Sequence, residues 1–225
     1  MDWVGELEAV AFDIDGTIYP NRAMYRASLP IVLSNLRLFR AFGHARRMVR
    51  IEPPETDLRS ETARIAARLL RSDPVTTGAR IGDVVYRRWE RVLRRVPLYP
   101  GVPETLRALR IAGYRIGALS DFPVVTKLEL FGIADLWDCV LSSEDTGYLK
   151  PHPEPFRRLA ELLEAEPHRI LYVGNSYRYD VLGARAAGMR TAHLARRPPR
   201  DSLADLTVSR WNELTRILCA ERRTK

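Results

Sequence analysis

Lysine is almost missing from this sequence. Only Lys127, Lys150 and Lys225 stand beside 33 arginines. We read the skew as a compositional preference for arginine rather than selection for phosphate binding, so a lysine kept against it marks a place where a compact ammonium serves better than a guanidinium. Cysteine is scarce as well. Cys139 and Cys219 sit in apolar or amphipathic surroundings without the spacing of a metal site, which predicts buried free thiols and a reducing compartment. No run approaches the ~18 apolar residues of a membrane span, and the opening stretch MDWVGELEAV has no basic flank ahead of an apolar segment. These absences argue against a membrane-spanning protein and predict a cytoplasmic one. His44, His168 and His193 are too scattered for a metal cluster, and His152, set between prolines, reads as structural. Internal repeats and low-complexity tracts are also absent.

What is present suits a globular α/β protein. With 225 residues, 46% of them apolar and 28% charged, the chain can bury one large core or a core with an insert. Apolar β-type runs at 9–12, 114–119, 139–141, 170–173 and 191–194 alternate from residue 100 onward with helical patterns at 103–112, 123–131, 153–165 and 177–187. Strand, helix, strand predicts a Rossmann-like parallel sheet with helices on both faces.

Residues 20–99 have a different texture. They carry 17 Arg, no Lys and 7 acidic groups, whereas the remainder is slightly acidic, so the net charge of +8 belongs to this segment. Val32, Leu36, Phe39, Phe42, Ala45 and Val49 recur every three or four residues, which predicts an amphipathic helix over about 29–50. Two more Arg-rich helical stretches follow, at roughly 58–71 and 80–95. We expect an all-helical cap at 20–99 over a core formed by 1–19 and 100–225. At helical spacing only a few of its arginines can point inward.

In an open parallel sheet, ligands bind beyond the carboxyl ends of the strands. Four strand ends carry or closely precede polar clusters: Asp13/Asp15, Ser120/Asp121, Lys150, and Asn175/Asp180. Asp13 could attack an electrophile as a carboxylate, and Asp15 is near enough to exchange a proton with a leaving group. Asp15-Gly16-Thr17 is also ordinary turn chemistry. Ser120 could offer a hydroxyl, and Asp121 a backbone N–H, to phosphate oxygens, or Ser120 could cap the helix that follows. Lys150 stands before a proline-rich stretch that holds the backbone extended.

FDIDGT at 12–17, LSD at 119–121, KPHPEPF at 150–156 and VGNSYRYD at 173–180, in that order, resemble the four motifs of the haloacid dehalogenase-like superfamily, and the insert resembles its helical C1 cap. The resemblance spans nearly the whole chain. It implies a Mg²⁺-dependent phosphatase acting on a small organic phosphate, with Asp13 as nucleophile and Asp15 as general acid and base. Ser120, Asp121 and Lys150 would hold the phosphoryl oxygens. The metal residues would be Asp13, Asp15 through its carbonyl, Asn175 and Asp180. The chemistry is coherent, because phosphoryl transfer needs in-line positioning and neutralised oxygens above all. Asp15 argues against a dehalogenase, and the lysine-free cap against the phosphonate-cleaving branch. Asn175 departs from the pattern, where an acid is usual; it leaves the site formally neutral and predicts weaker metal binding rather than a retired site. Two other readings stay open: a phosphomutase, and a basic module that docks on nucleic acid or an anionic membrane surface. The expected partner is a small phosphate ester rather than nucleic acid.

Overall fold

The computed structural model describes residues 2–222. Six parallel strands form one sheet: β1 (Ala9–Asp13), β2 (Arg115–Ser120), β3 (Cys139–Ser142), β4 (Ile170–Gly174), β5 (Arg190–Leu194) and β6 (Leu206–Val208), in the order β3-β2-β1-β4-β5-β6. β1 is central and buried along its whole length, which is why it reads as an unbroken apolar run. Its side chains alternate between two cores. Val10 and Phe12 join Ile116, Leu171 and Val173 on one face, where Phe12 stacks on Trp211 with ring centroids 5.0 Å apart. Ala9 and Ala11 face the opposite core, with Leu119, Tyr172, Phe156 and Leu159.

Helices α1 (Asn21–Ser34), α2 (Leu36–Ile51), α3 (Leu58–Leu70) and α4 (Pro74–Ile81) stand between β1 and β2. α4 continues through π-helical turns at Gly82–Trp89 and a 3-10 segment at Glu90–Arg95. This cap has its own core of Leu38, Phe42, Ala45, Ala66, Ile81 and Val85. Its entry and exit are tied together where the Tyr99 N–H donates to the Ile18 carbonyl at 2.8 Å. The remaining helices are α5 (Val102–Ile111), α6 (Val125–Leu130), α7 (Pro153–Leu162), α8 (Leu182–Ala186) and α9 (Trp211–Arg222), flanking the sheet.

Three details differ from the sequence expectation. The helix expected over 29–50 is two helices, because Asn35 leaves helical geometry (φ −130°, ψ 30°) and its Nδ2 donates back to the Ile31 carbonyl at 3.0 Å. The break turns the buried stripe, so Leu38 and Ala41 are covered while Leu36 is exposed. The stretch expected from residue 80 begins at Pro74, with the Asp73 carboxylate accepting the Thr76 N–H at 2.8 Å. Cys139 and Cys219 form no disulfide but are half-buried rather than buried, since β3 is an edge strand and α9 an outer helix. No helix among the described residues is long and apolar enough to cross a membrane.

Candidate active site

The parallel register brings the predicted residues to one edge. Asp13 lies beside Leu119 and Phe12 beside Val173, so Ser120 comes one position, and Asn175 two positions, after a neighbour of the end of β1. Asp13 is only 5% exposed. The Lys150 ammonium donates to Asp13 Oδ1 at 2.6 Å and to Asp180 Oδ1 at 2.7 Å, and lies 3.3 Å from the Tyr172 hydroxyl. One cation thus serves two buried carboxylates. Burial, with the Asp180 charge adding to it, pushes the Asp13 carboxyl up to about 7 despite Lys150. Burial alone would lower Lys150, but Asp13 and Asp180 outweigh it and hold the ammonium charged.

Local sequence explains the placement. Thr17 Oγ1 donates to Asp13 Oδ2 at 2.7 Å and accepts the Asn175 N–H at 3.1 Å, stitching the β1 loop to the β4 loop. Asp180 folds back under the end of β4, where Oδ2 accepts the Ser176 N–H at 2.9 Å. A Cβ on Gly174 would sit 2.3 Å from Asp180 Cβ, so this strand end has no room for a side chain.

Asp15 has a separate set of partners. Lys127 reaches both of its oxygens at 2.7 Å, and the hydroxyls of Ser120 and Tyr19 donate to it. Burial opposes ionisation, but Lys127 and the two hydroxyls prevail and hold this carboxyl below its ordinary range. Ser120 Oγ also accepts the Phe122 N–H at 3.1 Å, so it caps that turn and not α6, which has no side-chain cap. Between cap and core beside Asp15 lies a small cavity of about 20 Å³, lined in part by Tyr19, Trp89, Glu90, Phe122 and Lys127.

The Asp121 side chain points elsewhere. Oδ1 accepts the Lys150 N–H at 3.0 Å and Oδ2 accepts from Arg50 Nη2 at 2.6 Å. Arg50 Nε also donates to the Lys150 carbonyl at 2.8 Å, so one cap guanidinium fastens two core loops. Arg46, buried to 5% exposure, bonds Glu144 and the Asp121 carbonyl, while Arg59 Nε and the Tyr86 hydroxyl reach Glu144 at 2.9 and 2.6 Å. Arginines of the cap therefore clamp it to the core, which consumes part of the charge excess inside the molecule.

A family model described as a haloacid dehalogenase-like hydrolase matches residues 7–188. The chain belongs to the haloacid dehalogenase-like hydrolases. Among its curated relatives, a glyceraldehyde 3-phosphate phosphatase of Methanopyrus kandleri is 29% identical, with 94% of this chain and 97% of that protein covered. A phosphoglycolate phosphatase of Salmonella typhimurium is also 29% identical, over 84% and 81% of the two chains. A solved HAD phosphatase from Thermococcus onnurineus superposes with a TM-score of 0.70 at 28% identity, covering 96% of this chain and all of that one.

The donor set of this hydrolase bears on the metal it could hold. Among the described residues, no group of three or more His, Cys, Asp or Glu side chains is arranged as a metal cage. Both Asp180 oxygens are engaged, by Lys150 and by the Ser176 N–H. Asp13 is engaged likewise, by Lys150 and by Thr17, but it and the Asn175 amide oxygen, 3.2 Å from Thr17 Oγ1, gather around Thr17, away from the Ser176 N–H that Asp180 accepts. An oxygen-only set of low charge fits a hard, largely hydrated cation. Lys127, Thr17, Tyr172 and the Arg46–Glu144 clamp are the participants that sequence reasoning missed. The rarity of lysine was the one signal that pointed to Lys127.

Proposed function

We propose that this hydrolase is a magnesium-dependent phosphatase for a small organic phosphate, working through a phosphoryl group carried on Asp13. The observation that carries the reading is a buried strand-end carboxylate 2.6 Å from the Lys150 ammonium, followed two residues on by a second carboxylate with a lysine of its own. An Asp13 oxygen attacks phosphorus as the bond to the ester oxygen breaks. Lys150, the Ser120 hydroxyl and the Asp121 N–H would take up phosphoryl oxygens, Ser120 turning from Asp15 to do so; the Asp121 carboxylate, engaged with Arg50, would not. Asp15 passes a proton to the leaving oxygen and then takes one from the water that opens the acyl phosphate. Held ionised by Lys127, it rests in the form that the second task needs. An arriving phosphate dianion raises the pKa of a neighbouring carboxylate, which favours the first.

Magnesium held by Asp13, the Asp15 carbonyl and the Asn175 amide, with Asp180 acting on Lys150 outside this set, would supply positive charge against the phosphoryl oxygens. The cavity of about 20 Å³ has room for little more than a water, so the cap, taken as residues 20–99, swings open to admit substrate and closes to exclude bulk water. Arg46, Arg50 and Arg59 supply the closing contacts.

Phosphate release from a panel of small organic phosphates with magnesium tests the reading. Turnover is expected, with its loss in EDTA and in Asp13→Asn. Release that is undiminished in Asp13→Asn, or absent for every ester, refutes it.

A further inference from the structure

A second concavity lies over the β1-β4-β5-β6 part of the sheet's carboxyl edge. Its volume is about 780 Å³, within the range of small-molecule sites. Gly16 and Asn175 form one wall, but none of Asp13, Asp15, Ser120 or Lys150 lines it. Arg22 from α1, Arg196 from the loop after β5 and Arg210 from the turn before α9 surround it, and its lining contains no Asp or Glu. Some surface arginines pair with acids, Arg64 with Glu61 and Arg190 with Asp205, while others such as Arg37, Arg91 and Arg107 have no ion pair among the described residues. What sets Arg22, Arg196 and Arg210 apart is that they surround one cavity. Among the described residues, these three guanidiniums make no ion pair or side-chain hydrogen bond.

The backbone adds to the same field. α5, ten residues long, starts at this cavity with Gly101 as a cap that offers no side-chain acceptor, and α9, twelve residues long, starts there at Trp211. The two helix starts adjoin, since a Cβ on Gly101 would lie 3.5 Å from Trp211 Cβ and 3.9 Å from the Asn212 nitrogen. Three guanidiniums without an ion pair around a cavity whose lining holds no acid, with two helix ends beside them, favour a multiply charged anion. Glu104 and Glu213 in the first turns of those helices, Glu213 bonded to Ser209 and close to Arg210, offset part of that field. Tyr99, Leu194 and Trp211 give the cavity an apolar side.

We propose that this groove is a second anion site, separate from the phosphoryl site on Asp13, for a phosphorylated small molecule with a planar or apolar body. Bound there, the ligand abuts the Asn175 loop and the Tyr99–Gly101 return from the cap.

Calorimetric titration with ATP in EDTA, where the proposed hydrolysis does not run, tests this. One equivalent should bind to the wild-type protein and to Asp13→Asn alike, and at least about tenfold more weakly to the Arg196→Ala/Arg210→Ala pair. An Arg87→Ala/Arg88→Ala pair, exposed on the cap, should bind as the wild type does. No binding, binding indifferent to Arg196 and Arg210, equal weakening by the cap pair, or loss in Asp13→Asn each overturns the proposal. Turnover of an aryl phosphate, measured separately with magnesium, bears on the phosphatase reading alone, so either can fail while the other stands.

Discussion

Two lysine–aspartate pairs stand side by side in this molecule, built from aspartates two positions apart, and they hold opposite states. Lys150 is divided between Asp13 and Asp180, and Asp13 is pushed up to about 7 by burial and by its carboxylate neighbour. Lys127 belongs to Asp15, two hydroxyls assist it, and that carboxyl stays below its usual range. Counting partners rather than pairs explains the difference: a cation shared by two buried acids cannot neutralise both. Asp13 is therefore short of positive charge until a further cation arrives, whereas Asp15 is already compensated. That is the division expected of a metal-assisted nucleophile and a proton carrier.

The comparison breaks first, and most visibly, in turnover. Asp13→Asn should lower it by roughly 10⁴-fold or more. Asp15→Asn should spare a measurable fraction with an aryl phosphate, whose leaving group needs little protonation. Equal losses with aryl and alkyl esters would erase the distinction between the two carboxylates.

Denaturant unfolding at neutral pH gives the next largest effect. Lys150→Met strands two buried carboxylates and should cost about 3–5 kcal/mol. Lys127→Met leaves one partly buried carboxylate that keeps two hydroxyl donors, and about 1–3 kcal/mol is expected. Similar costs would show that the sharing of Lys150 is irrelevant.

Proton linkage separates the pairs by sign. Folded metal-free protein binds the Asp13 proton up to about 7, whereas the unfolded chain releases it near about 4, so this group's contribution to stability falls as pH rises between those values. Asp15 is lowered, so its contribution is complete above about 4 and is lost as pH falls through the folded-state pKa. Unfolding of metal-free protein from pH 4 to 8 should show the downward slope, and Asp13→Asn should flatten it; a slope unchanged by that substitution contradicts the assignment.

The smallest expected effect is on magnesium. Asn175→Asp should reduce the concentration giving half-maximal activity by about tenfold. No change would mean that the amide does not lie near the ion.

The sequence made the strands legible because a sheet covered on both faces writes itself as short apolar runs, and the strand ends then pointed to Asp13, Ser120, Lys150, Asn175 and Asp180. β6 escaped because three residues are too few for a pattern, although Trp211, Leu214 and Leu218 mark the apolar side of α9 that packs beside it. Partners distant in sequence escaped for a different reason. Lys127 meets Asp15 across 112 positions and Arg46 meets Glu144 across 98, and nothing local in either residue names its partner. Scarcity singled out Lys127 but could not say what it holds.

The claim that Asp13 takes up the phosphoryl group is tested most directly by acid-quenching the enzyme during turnover and locating the label by peptide mass spectrometry. One phosphoryl group on the peptide containing Asp13, absent from Asp13→Asn, is the predicted result. Steady turnover with the label on another side chain, or with no labelled peptide under conditions that preserve acyl phosphates, would contradict it.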